Sequence, residues 1–106
     1  MKHRWVIRPA AEADIDDIAL YIAKRNVEAG HRFLRHVFDD IEMLAANPGF
    51  GTRIPDSPLD LRRWRVKGFN AIAIIYRSTT GQVRVLRVLH GAQDWDRILE
   101  RLTDGS

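Results

Sequence analysis

The sequence predicts a single α+β domain spanning residues 1–106, in the order β-α-α-β-β-β-α. A helical hairpin would pack on a small, mostly antiparallel sheet, with a short helix at the C-terminal end. Three observations predict it. Through the first half, apolar residues recur at spacings of three and four, the period of helices buried on one side. After residue 60 that period gives way to continuous or alternating runs rich in β-branched residues. Between the halves, residues 47–60 hold three of the four prolines, two glycines and two aspartates. That stretch reads as a loop, because neither flank is large enough to stand alone as a domain.

Trp5-Val6-Ile7 is a short apolar run ahead of Pro9, a strand of about six residues ending where proline can open a helix. Ile15, Ile18, Ala19 and Ile22 then trace an amphipathic helix over residues 10–25. Glu12, Asp14, Asp16 and Asp17 fall in its first two turns, where the helix dipole favours negative charge, and Lys24 and Arg25 close its last turn. Asn26 caps a second helix, striped by Phe33, Leu34, Val37, Phe38, Ile41, Leu44 and Ala45 and ended by Asn47-Pro48-Gly49. The link between them is so short that they must run antiparallel.

In the second half, Leu61–Val66 alternates in part and Lys67-Gly68 turns the chain. Ala71–Tyr76 is continuously apolar, as a central strand should be. Thr79-Thr80-Gly81 turns it again into Val83–His90. Two tight links predict a three-stranded antiparallel meander. The first strand should join an edge of that meander, since alone it would leave its backbone groups unpaired. Asp94 can cap a last helix reaching Leu102, with Trp95, Ile98, Leu99 and Leu102 as its apolar face.

Composition narrows the function classes. The chain has 106 residues, 45% hydrophobic and 29% charged, with no cysteine. Disulfides, thiolate zinc sites and cysteine nucleophiles are excluded together. No run approaches the ~20 apolar residues of a membrane span, and the N-terminus leads into no signal-peptide core, so a soluble cytoplasmic protein is expected. Net charge is +3, unevenly placed. Residues 1–60 carry 8 Lys/Arg against 10 Asp/Glu, whereas residues 61–106 carry 9 against 4. The excess is mostly arginine, whose planar fork suits phosphate or carboxylate. A surface for nucleic acid or an acidic partner is the functional reading, and a solvated sheet face the bland one.

The candidate target-binding residues are therefore Arg62, Arg63, Arg65, Lys67, Arg87 and His90. His90 is of the residue type most used as a general acid or base, but a histidine at a strand end more often serves structure. Asp14, Asp16 and Asp17 have no histidine beside them and read as helix-dipole residues. His3, His31, His36 and His90 show no metal-ligand spacing, and no cofactor is expected. Trp64 and Trp95 read as core residues rather than base-stacking platforms.

Several blocks carry a family resemblance: Pro9-Ala10-Ala11 before a helix with Asp14, Ile15, Ile18 and Tyr21; Leu44-Ala45-Ala46-Asn47-Pro48 then Gly51; Arg62 before a strand; Ile74-Ile75-Tyr76-Arg77; and Arg87-Val88-Leu89-His90-Gly91. In this order, over nearly the whole chain, they resemble the ParE/RelE toxin superfamily, and within it the ParE-like branch of plasmid stabilisation proteins. The resemblance implies the toxin of a type II toxin–antitoxin system. It would inhibit DNA gyrase without being an enzyme, and a ParD-like antitoxin would neutralise it in a toxin–antitoxin hetero-oligomer. The RelE-like alternative is a ribosome-dependent mRNA endoribonuclease, which here would rest on Arg63, Arg65, Arg87 and His90. A third alternative is a non-toxic module that only binds antitoxin. The sequence departs from the RelE-like pattern at three places. Asn70 and Gln93 stand where arginine is common, and neither Tyr21 nor Tyr76 lies in the last helix.

Overall fold

The computed structural model describes residues 4–57, 59–91 and 93–105; His3, named above, lies outside them. The elements are β1 (Arg4–Ile7), α1 (Pro9–Ala23), α2 (Val27–Ala46), β2 (Thr52–Arg53), β3 (Leu61–Val66), β4 (Phe69–Thr79), β5 (Gln82–His90) and α3 (Trp95–Gly105). This is the expected α+β order with one addition, the two-residue β2 inside the proline-rich loop.

Local chemistry sets the joints. Pro9 is the first helical residue of α1, so it ends β1 and opens the helix in one step. The Asn26 side chain accepts a 3.0 Å hydrogen bond from the Ala29 N–H and starts α2. The two helices approach closely at Gly30, where a Cβ would stand 2.9 Å from the Ala23 Cβ and 3.2 Å from the Ala19 carbonyl oxygen. Only hydrogen fits there. Gly68 (φ 80°) and Gly81 (φ 72°) occupy the left-handed region in the β3–β4 and β4–β5 turns, a conformation that glycine takes without a steric cost.

The sheet order is β1-β5-β4-β3-β2, with β1 parallel to β5 and the other pairings antiparallel. The first strand thus joins the meander edge, as expected. Alternation splits the sheet into two faces. Val66, Ile72, Ile74, Tyr76, Val83, Val85 and Val88 meet Ala11, Ile15, Ile18, Phe33, Val37, Ile41 and Leu44 of the helical hairpin in one core. Phe38, part of the α2 stripe in sequence, stays 40% exposed. The opposite face carries Ala73, Ile75, Leu86 and Leu89, also buried. In α3, Ile98 and Leu99 are half-buried.

One irregularity matters for the site. Ile75 pairs with Arg87 but Tyr76 pairs with Val85, so β5 carries an extra residue there. Strict alternation from Val83 and Val85 would turn Val88 and His90 away from the helices. The bulge brings them back, opposite Ile74 and Ile72.

Candidate functional site

The outer flank of α1 does not close completely on the sheet. Between it and the start of β4 and end of β5 lies a groove of about 960 Å³. Ile18, Tyr21 and Ile22 form one wall, and Phe69, Ile72 and Val88 form the other. Tyr21 is 63% exposed, an amphipathic ring at the mouth of an apolar cleft. Phe69 is held from behind by Phe33 of α2, edge to face, with ring centroids 5.5 Å apart. Asp14, Asp17, Asn70, His90 and Gln93 supply the groove's polar atoms.

Asp14 is not the helix-dipole residue that its position in the first turns suggests. Its carboxylate receives the Arg87 guanidinium through two hydrogen bonds, 2.6 Å from Nε and 2.8 Å from Nη2. It also accepts the Val88 N–H at 2.9 Å. The cause is topological. β1 accompanies β5 only as far as Val85, and the Arg8 N–H donating to the Val85 carbonyl is its last link. Beyond that point the β5 edge has no strand neighbour, and the carboxylate takes the place of one. Asp14 and Arg87 side chains are 12% and 23% exposed, so this is a largely desolvated, forked pair. Hydrogen bonding to Asp14 holds the Arg87 pKa above its already high ordinary value.

A second carboxylate does the same from α2. Asp40, 8% exposed, accepts the Trp64 indole N–H at 3.1 Å and the Lys67 N–H at 2.9 Å on one oxygen. It fixes the end of β3 and the turn to β4. The far end of the sheet is held by Tyr76, whose hydroxyl donates to the Pro48 carbonyl at 2.7 Å and accepts the Gly51 N–H at 2.8 Å. Arg62 adds a 2.8 Å bond from Nη1 to the Gly51 carbonyl. Any Cβ on Gly51 would collide with the Tyr76 hydroxyl, which is why a glycine stands there. Burial pushes the Tyr76 phenol above its ordinary pKa, against the opposing pull of the Gly51 hydrogen bond.

The six sequence candidates are therefore dispersed. Arg62 shares the helix-side face with Tyr76 and holds a loop. Arg63 and Arg65, opposite Ile75 and Ala73, lie on the other face and are exposed. Arg65 reaches across its turn to the Asn70 carbonyl at 3.0 Å. Lys67 is in the turn itself, and Arg87 is bound to Asp14. Only His90 lines the groove, on the helix-side face opposite Ile72. Its N–H donates to Gln93 Oε1 at 2.9 Å, and its carbonyl accepts the Trp95 indole at 2.7 Å, so its backbone anchors the entry to α3. Trp64 and Trp95 are both half-buried and hydrogen-bonded. Sequence reasoning missed the groove's apolar walls and both carboxylate anchors. Among the described residues no group of three or more His, Asp or Glu is placed to hold a metal ion, and no helix is long and apolar enough to cross a membrane.

Known proteins place these features in a family. A family model described as the ParE toxin of the type II toxin–antitoxin system parDE matches residues 6–95. A solved chain from a chromosomal ParDE toxin–antitoxin system of P. aeruginosa superposes with a TM-score of 0.70 at 18% identity, covering 84% of this chain and 96% of that one. At that identity the likeness concerns the fold. No curated protein sequence matches.

Proposed function

The chain belongs to the ParE toxin family of type II toxin–antitoxin systems, and from that premise we propose that it acts on DNA gyrase and is neutralised by a ParD-like antitoxin seated in the α1–sheet groove. The observation that carries the choice of target is the fate of the ribonuclease candidates. An endoribonuclease needs several cations converging on one phosphate. Here Arg87 is neutralised by Asp14, Arg63 and Arg65 stand on the face opposite His90, and Asn70 and Gln93 line the groove where arginines would be needed. A toxin that acts by binding requires no such convergence.

The groove supports the antitoxin half. It is largely apolar and open, with an exposed tyrosine at its mouth, and such a cleft suits the apolar face of an amphipathic segment that folds on binding. Apart from Tyr21, its ionisable groups are Asp14, Asp17 and His90, with no lysine or arginine, so it is not the basic surface that the charge distribution suggested. Acidic residues of an antitoxin would meet arginine outside the groove.

Purified protein should inhibit gyrase supercoiling at stoichiometric concentration, and a co-encoded antitoxin should restore it. Full supercoiling in the presence of toxin removes the gyrase reading. Codon-specific cuts in ribosome-bound mRNA would instead establish the ribonuclease. Tyr21→Asp should weaken antitoxin capture at least about tenfold, since it places a charge in an apolar contact, while toxicity in antitoxin-free cells persists.

A further inference from the structure

The sheet face turned away from the helical hairpin is built differently from the face beneath it. Read across the register, its strand positions carry Arg4, Arg63, Arg65, Arg77, Arg84 and Arg87 and not one carboxylate. Arg77 and Arg84 are directly opposed on β4 and β5. Two like charges so placed, with Cβ atoms about 5 Å apart, destabilise a sheet unless something neutralises them. Among the described residues neither forms an ion pair, and the Arg77 Nε is buried without a hydrogen-bond partner. Two other sheet arginines are satisfied by contrast, Arg62 by the Gly51 carbonyl and Arg87, at the open β5 edge, by Asp14.

The unpaired arginines are ordered. Arg4 stands opposite Gln82, two residues along β5 from Arg84, and Arg63 stands opposite Ile75, two residues along β4 from Arg77. Arg4, Arg84, Arg77 and Arg63 therefore form an oblique stripe, one arginine on each of four adjacent strands. With strands ~4.8 Å apart and ~3.3 Å per residue, the stripe is on the order of 20 Å long. We propose that this stripe binds the phosphodiester backbone of a nucleic-acid duplex, without reading its sequence.

Two features favour a phosphodiester chain over an acidic protein segment. A protein partner needs apolar anchors, and the exposed large apolar residues are Trp5, Val6, Leu20, Tyr21, Val27, Phe38 and Phe50. Of these, only Val6 stands on this face, at the β1 edge. A phosphate backbone needs only charge and donors, which arginine supplies as a fork. The face also presents no exposed aromatic ring on which unpaired bases would stack, so backbone contact is what it offers.

The site is independent of the gyrase reading and is tested without gyrase. Fluorescence polarisation is measured with purified toxin and short labelled DNA duplexes of two unrelated sequences, across a salt series. Both should bind alike, with affinity falling linearly in log–log salt. Arg84→Gln, an exposed change that leaves the fold alone, should reduce that slope by about 1, and R77Q/R84Q should reduce it by about 2 and weaken low-salt binding about tenfold or more. Arg32→Gln on the exposed side of α2 should change neither, and circular dichroism verifies the folding of each variant. A duplex RNA arm names the source: equal binding marks the phosphodiester itself, and a preference identifies which nucleic acid the face suits. Absence of binding to both, or a slope unmoved by a folded Arg84→Gln, overturns the proposal. So does displacement of the duplex by polyglutamate at lower charge concentration than by unlabelled DNA, which would assign the face to an acidic protein. A toxin that binds DNA yet leaves supercoiling untouched keeps this site and loses the gyrase target.

Discussion

Asp14 on α1 and Asp40 on α2 occupy equivalent places in two helical stripes, yet they fasten the sheet in different ways. Each follows a buried apolar residue by three positions, precedes an isoleucine, and stands four before another buried apolar residue: Ala11, Asp14, Ile15, Ile18 in one helix and Val37, Asp40, Ile41, Leu44 in the other. Each therefore stands at the border of the buried face and reaches a backbone N–H, that of Val88 in β5 for Asp14 and that of Lys67 in the β3–β4 turn for Asp40. They differ in the side chain that completes the set. Asp14 takes a guanidinium, Asp40 an indole. One anchor is an ion pair at an open strand edge beside the groove, and the other is a set of hydrogen bonds from neutral donors beneath a turn. Position within a helix selects a carboxylate as a fastener, and the partner decides what breaking it costs.

The largest effect should follow Asp14→Ala. It strands a desolvated cation and an edge N–H together, and removal of one partner from such a pair costs about 3 kcal/mol or more. Denaturant unfolding should report that loss, and Arg87→Met added to it should recover part of it. Equal stability of the single and double variants would mean that the guanidinium is not what makes the Asp14 anchor costly to break. Asp40→Ala should come second, near 2 kcal/mol for two neutral donors left without an acceptor, with Trp64 emission shifting as its indole loses its partner. A larger loss than that of Asp14→Ala would reverse the ranking.

Tyr76→Phe extends the comparison to the third fastener, with an expected loss of about 1 kcal/mol. It also carries the pH dependence. Burial raises the folded phenol pKa above its ordinary value of 10.0. The folded state therefore holds that proton more tightly than the unfolded chain. The resulting stabilisation is complete below pH 10 and is lost as pH rises through the raised folded value. Alkaline unfolding curves should fall less steeply between pH 10 and that raised value in Tyr76→Phe than in the parent. The smallest effect is that of salt. At ~1 M, where screening acts within about 3 Å, the Asp14 anchor should weaken by a few tenths of a kcal/mol and the Asp40 anchor by less, because salt screens a pair of opposite charges more than a carboxylate held by neutral donors. Unfolding of Asp14→Asn and Asp40→Asn across a salt series checks the difference.

Much of this was legible in residues 1–106. The Asn26 cap, the Pro9 junction, the glycine turns at 68 and 81, and the continuous run of the central strand are local choices, made by side chains within a few positions of the backbone they direct. The family blocks were legible for the same reason, as an ordered series along one chain. The candidate site was not. Its six residues were chosen for charge and proximity in sequence, and the sheet scattered them between two faces, a turn and a strand end. The Asp–Ile pattern bordering each helical stripe was present to be read, and it would have pointed to both anchors, though not to their partners.

What the sequence determined by itself is the order of elements, the period of each, the joints between them, and an arginine-rich second half. Only the tertiary structure decided that Arg87 meets Asp14, 73 positions away, that one extra residue in β5 turns His90 toward the groove, and that Arg77 and Arg84 stand opposed without a counter-charge. The physical reason is that strand side chains alternate with a period of two. A single added residue changes the face of everything after it, and no local propensity records where that residue is added.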